Sequence, residues 1–346
     1  MVAKVDQLRR ELANISQSGF GAGEPGRGRE ASHPGKIPVS GWGDVLWRAW
    51  KEVSEANLFL VAGGVTYAIL LALFPGLAAL VSLYGLVLDP SQVERQVGAL
   101  SGVLPDQTRQ MLADELHQLV TASSGTLGIS AVLGLLLAVW SASRGMSGLI
   151  TALNIAYEET EKRSFFKVNL VALALTVALT VGGIVVIALL GFLPVAVQVL
   201  PLGQQTRWLL LILQWPLLVV FFMLGLAIFY RYAPSRDEPQ WRWVSPGVAV
   251  AVTLWIVASI GFRVYVANFN SYDKTYGSLG GVIILLTWLY FSSFAVLFGA
   301  VVNAQSEKQT RKDSTAGPSH PMGMRGARAA DTLGATRGQE DRDDNE

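Results

Sequence analysis

The feature that most constrains this chain is a set of long runs without a formal charge. Residues 58–88, 168–194, 208–229 and 279–303 contain no Asp, Glu, Lys or Arg. About 20 helical residues cross a hydrocarbon core of about 30 Å, so apolar runs of this length read as membrane spans. Two further apolar runs, 127–147 and 243–265, hold one charge each, Arg144 and Arg263. The pattern predicts an all-α, polytopic membrane protein with six transmembrane helices, at about 58–88, 127–147, 168–194, 208–230, 243–265 and 279–303.

The flanking segments have a different character. Trp42, Leu46, Ala49, Trp50 and Val53 recur at helical spacing opposite Arg48, Lys51, Glu52 and Glu55, which predicts an amphipathic helix at the membrane surface before the first span. Within 89–126, two apolar stripes flank Pro105: Val93, Val97 and Leu100, then Met111, Leu112, Leu116, Leu119 and Val120. They predict two short amphipathic helices. Residues 1–41 are rich in Gly and Pro, and 306–346 end in an acidic run. Neither tail shows an apolar period, so both are expected to be disordered and cytoplasmic, on either side of a membrane domain over 42–305. The first 57 residues lack the short apolar core of a cleavable signal, so the first span is expected to act as an uncleaved anchor.

Lys and Arg alternate between loops. Of 27, 22 fall in the two terminal segments and in 144–167 and 231–242, with Lys162, Arg163 and Lys167 tightly clustered. The remaining loops hold Arg95, Arg109, Arg207, Arg263 and Lys274. Basic loops stay inside, so both termini are expected in the cytoplasm.

Catalytic signatures are scarce. There is no cysteine, and the three histidines, His33, His117 and His320, are scattered. Zinc hydrolysis needs three or four converging ligands. Asp114 and Glu115 beside His117 read instead as the polar face of an amphipathic helix. No phosphate-binding glycine loop or nucleophile elbow is present. A net charge of +1 gives no basic face for nucleic acid. We therefore expect no enzyme activity, catalytic residue, metal or cofactor. The pairs Gly63-Gly64, Gly182-Gly183 and Gly280-Gly281 lie within spans and are expected to let helices pack closely.

The informative polar groups lie in or beside the spans. Arg144 sits in a low-charge run from Thr126 to Tyr157, with Trp140, Ser141, Ser143, Gly145 and Gly148 around it. As one helix that run is roughly 48 Å long, more than an upright crossing. Either Arg144 snorkels to headgroup phosphates, or the helix breaks and Arg144 points into a polar cavity. Thr66, Tyr67 and Pro75 mark the first span, where Pro75 removes a helix hydrogen bond. The last outside loop, 268–278, is dense in polar and aromatic groups, among them Tyr276 and Ser278, and suits either a substrate entrance or an aromatic belt.

At these residues the chain resembles the YihY/BrkB family of bacterial inner-membrane proteins, historically labelled ribonuclease BN-like. The matching pieces begin with Ala62-Gly63-Gly64-Val65-Thr66-Tyr67 through Leu73-Phe74-Pro75. Next come Trp140-Ser141 with Arg144-Gly145 and Ala152-Leu153-Asn154-Ile155-Ala156-Tyr157. Then follow Tyr230-Arg231-Tyr232-Ala233-Pro234, Trp243 and Pro246-Gly247. The last are Thr275-Tyr276-Gly277-Ser278-Leu279-Gly280-Gly281, Trp288-Leu289-Tyr290, Gly299-Ala300 and Asn303-Ala304. The resemblance covers about residues 43–307. It implies the six-helix fold and the inner membrane, and it associates the chain with envelope integrity and lipid movement.

These expectations combine into a transporter or lipid-handling protein of the cell envelope without its own nucleotide hydrolysis. A non-transporting envelope scaffold is the alternative, and a ribonuclease ranks last. The expected partners are membrane lipids, an amphipathic or anionic substrate and a second copy of the chain, with no nucleic acid. The substrate path would be lined by Thr66, Tyr67, Pro75, Trp140, Ser141, Arg144, Asn154, Tyr276, Ser278, Trp288 and Asn303.

Overall fold

A computed structural model describes residues 26–87, 127–199, 203–268 and 278–337. The helices are α1 (Val39–Glu55), α2 (Leu58–Val87), α3 (Leu127–Ala156), α4 (Phe165–Val199), α5 (Gln204–Tyr232), α6 (Trp241–Asn268), α7 (Ser278–Glu307) and the single turn α8 (Arg328–Asp331). No β-strand occurs among the described residues. Each of α2 to α7 coincides with one expected span. Among the described residues, four of them are long and apolar enough to cross a membrane: Phe165–Gly191, Gln204–Tyr232, Trp241–Val266 and Gly281–Glu307. A fifth crossing is made if Val39–Glu55 and Leu58–Leu73, bent by 68°, count as one broken span. Only 18% and 11% of the apolar windows of α4 and α5 are buried, so their outer faces suit a hydrocarbon solvent rather than water.

Helices α2 to α7 touch in sequence, and α7 returns to α2. The α6–α7 and α2–α3 pairs make the most extensive contacts. Small residues set the closest crossings, but not the expected pairs. Nothing lies within 4 Å of a Cβ placed on Gly64, Gly183 or Gly281. Gly145 instead packs on Ala68 and Ala72 of α2, and Gly247 meets Gly299 backbone to backbone. Doublets in the sequence mark small residues; only the facing helix decides which of them a neighbour approaches.

Several hydroxyls inside the helices are satisfied locally. Thr66 donates to Ala62 O (2.7 Å), Thr176 to Ala172 O (2.8 Å) and Ser292 to Trp288 O (2.8 Å). Pro246 cannot donate to Arg242 O one turn back, and the Ser245 hydroxyl takes that acceptor at 2.8 Å. The bend between α1 and α2 falls at Asn57, whose φ of 48° lies in the left-handed region that Asn tolerates. Its carbonyl then accepts the amides of Leu60 and Val61.

The amphipathic helix before the first span is present as α1, but its inner face differs from the expected one. Val45, Ala49 and Val53 are buried, while Leu46 and Trp50 point outward. Arg48, expected on the polar face, is buried. It donates to Gln305 Oε1 (3.1 Å), Gln305 O (3.0 Å) and Gln309 Oε1 (2.6 Å) on and beyond α7, and to Ala335 O (2.7 Å). The two amphipathic helices expected within 89–126 lie outside the described residues.

The expectation of disordered tails is corrected for residues 26–41 and 306–337. Ala31 and Ile37 are buried against Trp243. Ser314, Thr315, Arg325, Ala329, Ala330 and Thr336 are buried as well. Arg325 holds this C-terminal segment by donating to the carbonyls of Arg311 (2.6 Å), Ala330 (2.7 Å) and His320 (3.1 Å). Such order comes from small side chains and charge-assisted bonds to main-chain oxygens. It leaves no apolar period in the sequence.

Candidate functional site

The loops joining α3 to α4 and α5 to α6 meet at the end of the bundle that also holds the C-terminal segment. Asn154, in the last turn of α3, ties them together. Its Nδ2 donates to Glu161 Oε2 (3.0 Å) and its Oδ1 accepts from the Ser235 amide (2.7 Å). Ser235 Oγ accepts in turn from the Lys162 amide (2.9 Å). Arg163 grips Glu161 through Nε and Nη2, both at 2.8 Å, and also reaches Ala233 O (2.8 Å). Those hydrogen bonds hold the Glu161 carboxyl down at about 2, from an ordinary 4.5.

A cavity of about 760 Å³ opens beside this knot, between the first turns of α4 and the end of α5. Its polar part carries Lys162, Arg163, Lys167, Arg231 and Arg236, with Asp237 and Glu238. Its apolar part is one stripe of α4: Val171, Ala174, Leu175 and Ala178. Arg231 is 8% exposed. It is held by Glu238 Oε2 (2.8 Å) and Pro239 O, and flanked by the rings of Tyr232 (5.5 Å) and Trp241 (4.7 Å). Chemically this is a charged mouth on a greasy wall, a shape that suits a molecule with a charged head and an apolar body. Among the described residues, no three His, Cys, Asp or Glu side chains converge as metal ligands.

The residues singled out in the sequence do not gather in this cavity. Thr66 is buried between α2 and α7, 3.5 Å from Ser293 Oγ. Tyr67 is exposed, and Pro75 lies within α2. Trp140, Ser141 and Arg144 are exposed on α3, the Arg144 guanidinium lying 4.9 Å from the Trp140 ring centre. Trp288 stacks edge-on against Trp255 at 6.1 Å. Asn303 is fully buried: Oδ1 accepts the Gly247 amide (2.7 Å), and Nδ2 donates to Tyr157 Oη (3.2 Å). Asn154 and Asn303 are thus joints between elements, Asn154 adjoining the cavity through Ser235. Tyr276 lies outside the described residues, and Ser278 is the first residue of α7. In the sequence the Lys162, Arg163 and Lys167 cluster signals only orientation, and Arg231 stands only within the Tyr230-Arg231-Tyr232-Ala233-Pro234 piece of the family resemblance. Proximity of the two loops is what a linear pattern does not carry.

Comparison with known proteins places the chain among relatives. The family described as "Virulence factor BrkB" matches residues 49–322. The chain is 30% identical over 255 residues to a protein of Bacillus subtilis called "Putative ribonuclease-like protein YfkH", covering 71% of this chain and 89% of that one. It is 28% identical over 261 residues to a "UPF0761 membrane protein" of Tolumonas auensis, covering 74% and 82%. A similarly named protein of Alteromonas mediterranea is 27% identical over 255 residues, covering 72% and 83%. No solved structure matches. With a family match over most of its length and long apolar helices of membrane-crossing length, the chain belongs to the BrkB family of membrane proteins.

Proposed function

We propose that this protein handles lipids, or a lipid-like substrate, in the bacterial inner membrane without its own nucleotide hydrolysis. The observation that supports the reading is the cavity between α4 and α5, where a cluster of cations adjoins the Val171–Ala178 stripe. A phosphate or carboxylate head would sit among the cations while the apolar body follows α4 toward the bilayer. With six crossings, both termini and this cavity would lie on the cytoplasmic side, as the Lys and Arg distribution favours. A scaffold role is the second reading. It is favoured by the close packing of Gly145 on Ala68 and Ala72, and by an Arg144 that does not line the cavity between α4 and α5. The ribonuclease label belongs to the Bacillus relative, and no described cluster here supports it.

The test is reconstitution of the purified full chain in vesicles. Transbilayer movement of labelled phospholipids should exceed that in protein-free vesicles, and Lys167→Glu should reduce it. Rates equal to protein-free vesicles for every headgroup would reject lipid movement and leave the scaffold.

A further inference from the structure

The balance of charge around the cavity narrows what it holds. Four of its five cations already have a carboxylate. Lys162 pairs with Glu159 (3.2 Å), Arg163 with Glu161 (2.8 Å), Arg231 with Glu238 (2.8 Å) and Arg236 with Glu307 (2.6 Å). Lys167 is the exception. It is exposed on the first turn of α4 and makes no ion pair or hydrogen bond among the described residues. The first-turn amides of a helix are unpaired donors and favour an anion, so Lys167 stands where a negative group is already welcome.

The carboxylates divide in the same way. Glu238 is held by Arg231, whereas the exposed Asp237 carboxylate has no ion pair among the described residues. Asp237 is nonetheless fixed in place. Its amide donates to Gly326 O (3.3 Å), and its carbonyl accepts from Arg236 Nε (3.2 Å). Its carboxylate lies against Gly326, which has a φ of +70° and where any Cβ would collide with it. Among the described residues, the lining therefore offers one free cation and one free anion, with every other charge in it already paired.

We infer that the occupant is a lipid whose headgroup carries both a phosphate and a primary ammonium. The phosphate sits at Lys167 and the start of α4, and the ammonium at Asp237. This rests on the lipid-handling reading above and adds the headgroup class. A headgroup that is only anionic satisfies Lys167 but leaves Asp237 unpaired beside a second negative charge. A purely cationic one strands Lys167. Drawing on the other cations would break an existing pair, and those of Arg163 and Arg236 are two-pronged. From Lys167 to Ala178 the α4 wall runs roughly 16 Å, enough to hold apolar chains and not only a soluble headgroup.

The experiment is native mass spectrometry of the purified full chain in detergent. It is titrated with lipids of identical chains carrying phosphoethanolamine or phosphoglycerol heads, and separately with free phosphoethanolamine. The expected result is at least fivefold tighter binding of the phosphoethanolamine lipid than of the phosphoglycerol lipid, and no measurable binding of the free headgroup. Asp237→Asn should abolish that preference while keeping binding, and Lys167→Gln should weaken both lipids about tenfold. Thermal melting confirms that each variant folds. Equal binding of the two lipids, or a phosphoglycerol preference, overturns the headgroup assignment and leaves the lipid site standing. Free headgroup binding as tightly as the lipid overturns the lipid as its source. Binding of neither lipid, or binding indifferent to Lys167→Gln, overturns the lipid-handling reading itself.

Discussion

Arg236 holds Glu307 through both carboxylate oxygens, at 3.0 and 2.6 Å, with the two side chains only 0% and 1% exposed. The pair joins the α5–α6 loop to the end of α7. The Tyr157 ring lies 5.1 Å from the guanidinium, and Ser314 Oγ donates to Glu307 Oε2 at 2.6 Å. Three separate parts of the chain thus converge on one buried charge pair. Removing one partner strands the other in a medium that cannot solvate it, at a cost of about 3–5 kcal/mol. Arg236→Met and Glu307→Leu are each expected to lower the melting temperature strongly. The double variant should lose clearly less than the two losses added, as read from a thermal double-mutant cycle. Strict additivity would show that the two charges do not depend on each other.

The α6–α7 crossing depends on two missing side chains. A Cβ on Gly247 would collide with Gly299 O, and one on Gly299 with Gly247 O and with Tyr230 Oη, which donates to Val296 O. Gly299→Ala should therefore force the helices apart and reduce accumulation of folded protein. Gly225→Ala has nothing within 4 Å to meet and should be neutral, or stabilising by up to about 1 kcal/mol through helix propensity. Similar melting temperatures for both variants would mean that the crossing tolerates a methyl group.

The C-terminal segment should matter to folding. Truncation after Arg311 removes the Ser314 bond to Glu307, the Arg48 bond to Ala335 O and the bond from the Arg328 amide to Glu159 Oε1 (2.6 Å). Truncation after Arg337 removes none of them. The shorter protein is expected to melt several degrees lower in detergent, and the longer one to match the full chain. Identical melting of all three would show that the segment only rests on the bundle.

The positions of the six long helices were legible because uncharged runs of this length have few alternatives. Burial within those helices was not. Arg48 looked like a surface cation on a helical wheel, yet α7 and the C-terminal segment supply four acceptors for it. Asn154 and Asn303 stood out as polar residues beside apolar runs, which is equally true of a substrate path and of a buried joint. Which one they form depends on Ser235 and Gly247, 81 and 56 residues away. The Lys162–Lys167 cluster was visible, but only as an orientation signal. Its partner wall at Arg231–Glu238 comes from a different loop, and no local pattern links the two.

Acid should loosen the knot beside the cavity. The Glu161 carboxyl is held at about 2 by Arg163, below the ordinary 4.5 that it regains on unfolding. Its contribution is therefore fully present above about pH 4.5 and is lost as the pH falls from there toward 2. Melting temperature should decline over that range. Glu161→Gln, which cannot form the ionic pair, should show a shallower decline and a lower plateau at neutral pH. A slope unchanged by the substitution would assign the acid sensitivity to other carboxylates.

Arg144 gives the sharpest contrast between sequence and structure. A guanidinium poised to clamp a phosphate in a fork should be lined up with a cavity, because two parallel N–H bonds need a fixed approach. Arg144 is instead exposed, lies 4.9 Å from the Trp140 ring centre and lines none of the cavity between α4 and α5. An ammonium can also sit over an indole face and reach headgroups on a flexible stem. Arg144→Lys should accordingly accumulate normally and support lipid movement at close to the parental rate. Arg144→Leu should lower accumulation, since it deletes the charged anchor, while the protein that does insert keeps its activity per molecule. Comparing Arg144→Lys with Lys167→Glu in the same vesicle assay separates the two cation positions. Loss of movement in the former, with movement intact in the latter, would return the substrate path to α3.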